Sequence, residues 1–326
     1  MIPVTVVTGF LGSGKTTLIR GALRDPAFAR TAVIVNEFGE VGLDHDLIAS
    51  SDDTVLTLNT GCLCCAVQTD LARTLMDLLQ RRDAYDRVLI ETSGLSDPAP
   101  VLQGMMTDGG VAATHQVPHV VTVVDATQAG MTLRDHAEAR NQVVFADLLL
   151  FSKTDLAPPS DRLNAELDSL NSDAPRMTTG QARPAALFAA ASGAALLERL
   201  ARTPRAAGHA GIETTTLLRD RPVPALALTM LLQALAEHCG PRLLRLKGLV
   251  AIEEMPGQPA VIHGVRHVIS APVFLDRWPG GDERTRIVLI TKAVPRYFAS
   301  RLLDAIEAEV REATVSSLWR HGQSDI

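Results

Sequence analysis

The stretch GFLGSGKTT occupies residues 9–17 and comes directly after the apolar run IPVTVV at residues 2–7. Its spacing matches G-x-x-x-x-G-K-[ST], a pattern whose backbone N–H groups converge on phosphate oxygens between a strand and a helix. Lys15 is placed to reach the outer phosphates of a nucleotide, and the Thr16 hydroxyl is placed to ligate Mg²⁺. The motif therefore predicts a strand, a phosphate-binding loop and a helix from about Thr17 onward.

Around this motif, short apolar runs alternate with helix-like segments through about the first 200 residues. The runs typical of strands are 2–8, 31–36, 54–58, 87–91, 119–125 and 147–152. Between them, residues 67–82 space their apolar side chains along one helical face. Near-continuous apolar strands that alternate with helices indicate a sheet covered on both faces. We therefore predict an α/β fold, with a mostly parallel P-loop NTPase sheet and helices on both faces.

Two later strands end in polar sequences that indicate which kind of P-loop protein this is. Glu91 ends an apolar run and is placed to act on Mg²⁺ or its water, while Gly94 permits close approach to a γ-phosphate. An acid at a strand end that merely caps a helix is the alternative. At 152–155, SKTD matches an element in which Asp155 accepts hydrogen bonds from guanine and the Lys153 stem packs on the ring. Because adenine would leave that carboxylate unpaired, the sequence favours GTP over ATP.

Three of the four cysteines lie within GCLCC at residues 61–65. Cys62, Cys64 and Cys65 are spaced to chelate one Zn²⁺ or Co²⁺ ion, and three thiolates leave one position for another ligand. The candidates for that position are Glu37 first, then Glu40 and His115. Core packing and a disulfide between Cys62 and Cys64 or Cys65 are alternatives, and the disulfide would make the chain a redox-sensing NTPase. A P-loop kinase with structural zinc is a third possibility.

Beyond residue 203 the pattern changes, which predicts a second domain. We expect a P-loop GTPase domain at 1–203, a linker at 204–212 and a smaller α+β domain at 213–313, followed by a loose tail at 314–326. Within the second domain we predict a helix at 224–238 and a final helix from near Pro295. The strand-like runs are 248–252, 259–263, 265–270 and 285–291.

Charge and composition exclude several classes of partner. Lys and Arg number 31 against 37 Asp and Glu, so the net charge is −6, and aromatic residues make up 4% of the chain. No basic field or stacking platform for nucleic acid is indicated, and no apolar run approaches the ~20 residues that span a bilayer. We expect a protein of the reducing cytoplasm, without membrane or nucleic-acid partners, because the start of the sequence shows no secretory signal.

In order and spacing, GFLGSGKTT, NEFGE, GCLCC, ETSGLSDP and SKTD resemble the CobW-like family of metallochaperone GTPases. The segment RLLRLKGLVAIEEMPGQPAVIHGV at 242–265 resembles the C-terminal domain of that family. The resemblance implies slow GTP hydrolysis coupled to binding of Zn²⁺ or Co²⁺, with transfer to a client metalloprotein or a metal-cofactor pathway enzyme. We expect a monomer or weak homodimer.

The resemblance also assigns residues. Lys15 and Glu91 would be catalytic. The nucleotide would be bound by Gly12, Ser13, Gly14, Lys15, Thr16, Thr17, Lys153 and Asp155. The metal would be bound by Cys62, Cys64 and Cys65 with Glu37, and Mg²⁺ by Thr16. Ser152 stands where many GTPases have asparagine, which weakens the predicted selectivity for guanine.

Overall fold

A computed structural model describes residues 1–36, 55–58, 64–81, 83–182, 208–209, 211–279 and 282–322. The chain divides into two compact units, Met1–Arg199 and Leu200–Ile326. Each unit is built around its own β-sheet.

The first unit contains a seven-stranded sheet in which every pairing is parallel. Its strands are β1 (Val4–Thr8), β2 (Thr31–Asn36), β3 (Val55–Leu58), β4 (Arg87–Thr92), β5 (His119–Asp125), β6 (Leu148–Ser152) and β7 (Arg176–Thr178). Their spatial order is β3-β2-β4-β1-β5-β6-β7. The six predicted strands are confirmed, and β7 was not predicted. All carboxyl ends meet at one edge of the sheet, where parallel α/β sheets bind ligands.

Helices flank this sheet, which confirms the predicted fold class. They are α1 (Lys15–Leu23), α2 (Cys64–Leu79), α3 (Ala99–Thr107), α4 (Gly109–Thr114), α5 (Ala129–Asp135), α6 (Ala137–Val144) and α7 (Asp161–Leu170). In α2, Leu71, Leu75 and Leu78 are buried, as the apolar spacing predicts. Ile19 of α1 and Phe28 join the β1, β2 and β4 side chains Val7, Val33 and Leu89 in one buried cluster. This packing fixes the start of α1 against the carboxyl edge of the sheet.

The second unit is an antiparallel sheet with two long helices, which confirms the smaller α+β domain. Its strands are β8 (Gly208–His209), β9 (Ile212–Arg219), β10 (Leu243–Val250), β11 (Ala260–Val265), β12 (Val268–Ile269), β13 (Val273–Phe274) and β14 (Thr285–Lys292), and its helices are α8 (Ala225–Cys239) and α9 (Phe298–Gly322). The order is β12-β11-β10-β14-β9-β8, with β13 beside β11. Of the helices in the described ranges, none combines the length and apolar character that a bilayer crossing requires.

The extended segment with which this unit begins was not predicted from the sequence. The predicted linker at 204–212 overlaps β8 and the first residue of β9, and β9 itself was not predicted. Its sequence IETTTLLR contains three threonines, so it lacks the apolar run that would have predicted a strand. Its position in the sheet is set by pairing with β14 along the whole of Ile212–Arg219. The tail predicted from 314 is also wrong in part, because α9 continues to Gly322.

Leucines of α8 provide a matched test of the core of the second unit. Leu231 is fully buried in the cluster formed by α8, α9 and the sheet, whereas Leu226 on the same helix is 57% exposed. We expect Leu231→Ala to lower the free energy of unfolding by about 2–5 kcal/mol, because it removes buried contacts and leaves a cavity. Leu226→Ala should change it by less than about 0.5 kcal/mol. Denaturant unfolding of both variants measures this, and equal effects would contradict the assigned core.

Candidate functional site

The phosphate loop, residues 9–16, runs from the end of β1 into α1 and has the backbone of an anion cradle. Gly9, Gly12 and Gly14 have φ angles of 141°, 69° and 95°, which L side chains rarely adopt. A Cβ at Gly9 would lie 2.3 Å from the carbonyl oxygen of Val123. The loop therefore requires glycine at its start, and it ends at a helix N-terminus whose amides favour a phosphate.

Lys15, Thr16 and Glu91 form the polar centre of this site. The Lys15 side chain is 8% exposed, and its Nζ donates to the carbonyl oxygens of Gly9 at 2.9 Å and Phe10 at 3.3 Å. Thr16 Oγ1 donates to Glu91 Oε1 at 2.7 Å, although the two residues are 75 positions apart. A hydroxyl and a carboxylate oxygen are ligands that Mg²⁺ prefers. The structure thus brings together the three residues on which the sequence prediction depended.

The acid loop, residues 91–97, begins with the last two residues of β4 and lies directly against the phosphate loop. A Cβ at Gly94 would lie 2.6 Å from the backbone nitrogen of Leu11 and 2.8 Å from its Cα. Thr92 Oγ1 donates to Thr8 Oγ1 at 2.8 Å and so links the ends of β4 and β1. Glycine is therefore required at position 94 for the acid loop to touch the phosphate loop. This role is additional to the predicted one, in which Gly94 permits close approach to a γ-phosphate.

The segment after β6 is attached to the phosphate loop by a serine. Ser152 Oγ donates to the carbonyl oxygen of Ser13 at 2.6 Å. The following Lys153 has a φ of 54°, and Asp155 is exposed in the turn beyond it. Ser152, which stands where many GTPases have asparagine, thus still links the segment after β6 to the phosphate loop. Contacts of Lys153 and Asp155 with a base remain predictions.

Asp125, at the end of β5, is a site residue that sequence reasoning missed. Its carboxylate accepts from Lys153 Nζ at 2.5 Å, from Thr127 N at 2.9 Å and from Thr127 Oγ1 at 2.6 Å. Burial disfavours its charge, but the hydrogen bonds from Lys153 and Thr127 outweigh burial and lower the pKa of Asp125. An acid that ends the apolar run HVVTVVD was the signal that could have revealed it.

A cavity of about 170 Å³ lies on the flank of the phosphate loop. Leu11 and Val123 line it, together with Leu133 of α5 and Val143 of α6, and the Asp125–Lys153 pair forms part of its wall. Beside it, the rings of Phe10 and His136 lie 4.5 Å apart between centroids. Helices α5 and α6 therefore support the phosphate loop on the side of β5.

The predicted metal ligands lie mostly outside the described residues. This holds for Glu37, Glu40 and Cys62, and only the backbone of Cys64 and Cys65 is described, at the start of α2. β2 and β3 are neighbours with Asn36 paired to Leu58, so the two strand ends that precede Glu37 and the thiols in the sequence are adjacent. Among the residues that the structure does describe, no three His, Cys, Asp or Glu side chains form a metal-binding group.

His115 is not at this edge of the sheet, so its weaker candidacy as a metal ligand was wrong. It pairs with Ile2, before the start of β1, and therefore lies at the amino edge of the strands. It is buried, its Nδ1 lies 3.0 Å from Thr114 Oγ1, and burial lowers its pKa.

These features define a P-loop nucleotide-binding protein with a separate antiparallel domain, and comparison with known families agrees. The profile described as "CobW/HypB/UreG, nucleotide-binding domain" matches residues 3–178, and that described as "Cobalamin synthesis protein cobW C-terminal domain" matches residues 212–307. The chain belongs to the CobW/HypB/UreG family, as its motifs predicted.

Similar proteins cover almost the whole chain. The zinc chaperone YjiA of Escherichia coli K12 is 34% identical over 300 residues, which are 89% of this chain and 93% of that protein. The zinc chaperone CobW of a Sinorhizobium species is 33% identical over 89% of this chain and 92% of its own length. The crystal structure of Zn(II)-bound YjiA GTPase from E. coli superimposes with a TM-score of 0.70, at 26% identity, over 94% of this chain and 98% of that one.

Proposed function

We propose that this chain is a GTP-hydrolysing metallochaperone that binds Zn²⁺ and transfers it to a client metalloprotein. The Lys15–Thr16–Glu91 centre carries the proposal, because it provides a phosphate ligand and two Mg²⁺ ligands at the carboxyl edge of the sheet. The relatives named as zinc chaperones and the YjiA GTPase support both the reaction and the choice of zinc over cobalt. None of the relatives reported above is named as a redox protein.

For GTP hydrolysis, each part of the site has a proposed role. Lys15 neutralises charge on the outer phosphates, and the amides at the start of α1 bind their oxygens. Thr16 and Glu91, directly or through water, would hold Mg²⁺, which neutralises charge that develops on the transferred phosphate. Lys153 and Asp155 bind the base, while Ser152 keeps their segment attached to the phosphate loop.

For metal binding, we assign Cys62, Cys64 and Cys65 as thiolate ligands and Glu37 as the fourth ligand. Thiolates and carboxylates are ordinary Zn²⁺ ligands, and a site completed by a carboxylate exchanges more readily than four thiolates do. The order of strands supports the assignment, because the carboxyl ends of β2 and β3 are adjacent and β2 also pairs with β4, whose end carries Glu91.

We propose that binding of the two ligands is coupled. GTP bound at Lys15 and Thr16 orders the segment around 36–46 through its γ-phosphate and brings Glu37 to the thiols. Hydrolysis releases the segment and opens the metal site for transfer. Since coupling between two ligands is reciprocal, Zn²⁺ must tighten GTP binding by the same factor.

The experiment measures Zn²⁺ affinity in the presence of a non-hydrolysable GTP analogue and in the presence of GDP. We expect about 5–150-fold tighter binding with the analogue, the usual range of such couplings. Cys64→Ser combined with Cys65→Ser should remove the high-affinity site. Cys239→Ala is the matched control, because Cys239 is buried in the second unit and should leave both affinity and coupling unchanged. Equal affinities with the two nucleotides would reject the coupling.

We also place the protein in the cytoplasm, whose reducing conditions keep the thiols available as ligands. The client is a metalloprotein or an enzyme of a metal-cofactor pathway. We expect the chain to act as a monomer or weak homodimer.

A further inference from the structure

Gln142 of α6 is a buried polar side chain that none of the sequence motifs contains. It is 1% exposed, and its Nε2 donates to the carbonyl oxygens of Gly94 at 3.0 Å and Ser96 at 3.1 Å. Both acceptors belong to the acid loop, 48 and 46 positions earlier in the chain. One amide group therefore holds two peptide units of the loop that begins at Glu91.

The position of Gln142 is itself fixed on the side of β5. Thr122 Oγ1 donates to the backbone carbonyl oxygen of Gln142 at 2.7 Å, which ties the helix to that strand. Asn171 Nδ2 donates to the carbonyl oxygens of Val143, Val144 and Ala146 at 2.9, 3.2 and 3.0 Å and so fixes the end of α6. The amide of Gln142 is thus a rigid support and not a mobile surface group.

The acid loop lies between this support and the phosphate loop. On one side, Gln142 binds its carbonyl groups, and on the other side Gly94 meets the backbone of Leu11. Asn141 Nδ2 adds a hydrogen bond of 3.0 Å to Asp97 Oδ2 at the end of the loop. If the Gln142 amide is lost, the carbonyl groups of Gly94 and Ser96 lose this donor, and rotation of the loop toward water, which supplies another donor, becomes more favourable.

We propose that Gln142 is a positioning residue for GTP hydrolysis. It holds the acid loop against the phosphate loop, where the acid loop can respond to the terminal phosphate of GTP. This inference rests on the proposed GTPase function. It assigns Gln142 no contact with the nucleotide. Gln142 acts through the peptide units of Gly94 and Ser96. Its replacement should therefore change kcat and the discrimination between GTP and GDP.

The test compares Gln142→Leu with Val111→Ala, a destabilising control in the same unit. Val111 of α4 is fully buried, and its carbonyl oxygen accepts from the backbone nitrogen of His115 at the amino edge of the strands, away from the acid loop. We expect Gln142→Leu to lower kcat for GTP by about 10²-fold, because small displacements of a catalytic loop have effects of this size. Affinity for GDP should stay within about twofold, while the preference for a non-hydrolysable GTP analogue over GDP falls about tenfold.

Val111→Ala should lower the free energy of unfolding, because it removes fully buried contacts, and should leave kcat and nucleotide preference near wild type. If Gln142→Leu does not fold, Gln142→Met replaces it, since methionine keeps the unbranched side chain but has no N–H to donate to the two carbonyl groups. Wild-type kcat and preference in either Gln142 variant would overturn the inference. Failure of the unaltered protein to hydrolyse GTP would instead reject the proposed function, and the analogue-to-GDP preference would still decide the role of Gln142.

Discussion

Lys15→Met should lower the rate of GTP hydrolysis at saturating nucleotide by about 10³-fold, the largest effect that we expect from a single substitution. The variant keeps an apolar stem in the loop and removes only the ammonium group. That group is nearly buried, where electrostatic stabilisation of a transferred phosphate is strong, and loss of one preorganised group costs about 10²–10³ in kcat. The rate is measured by phosphate release at several GTP concentrations.

The control for this substitution is Lys292→Met, because Lys292 is exposed at the end of β14 in the second unit. It carries the same charge and should leave hydrolysis unchanged. Retention of more than a tenth of the wild-type rate by Lys15→Met, in a folded protein, would show that Lys15 does not stabilise the reacting phosphate.

Gly94→Ala should reduce hydrolysis by about 10²-fold through a single added methyl group. The Cβ would lie under 3 Å from two backbone atoms of Leu11, so the acid loop and the phosphate loop must separate. Gly94 does not have a positive φ, so any loss comes from this contact and not from backbone strain. A displacement of catalytic groups by about 1 Å is enough to produce a change of this size.

Gly21→Ala is the matched control, since a Cβ at Gly21 meets nothing within 4 Å in α1. It should preserve hydrolysis and stabilise the helix by up to about 1 kcal/mol, because alanine is the better helix former. Parallel rate and unfolding measurements separate the two outcomes. A Gly94→Ala variant with the wild-type rate would mean that the two loops need not touch during the reaction.

Patterns in the sequence were sufficient to predict the helices and strands whose apolar residues recur with a clear period. The buried strands of the first unit and the helix with Leu71 and Leu75 were predicted because their side chains face the core at regular intervals. β9 and β7 escaped prediction because their residues are polar or half-buried, and their strand conformation depends on pairing with β14 and β6. Such pairing is a tertiary interaction that local composition does not encode.

The same division applies to the site. Lys15, Thr16 and Glu91 could be found because their motifs place them at strand ends, which the topology then brings together. Gln142 and the hydrogen bond of Ser152 could not be found, because each acts on a partner far away in sequence, and the acid that ends HVVTVVD marks Asp125 without revealing its partner Lys153. Lys153 lies 28 positions from Asp125, and Ser13 lies 139 positions from Ser152. A single glutamine within a helix gives no sign that its amide reaches back to the acid loop.

The strand order has a consequence for how the protein is made. β1 leaves the ribosome before its partners β4 and β5, which are encoded at residues 87–125, so the backbone N–H and C=O groups of this apolar strand stay unpaired until those segments have emerged. In the second unit, β14 lies between β10 and β9 although it is synthesised after both of them. Both sheets therefore close late, and nascent chains that still lack these strands are the species most in need of protection from aggregation.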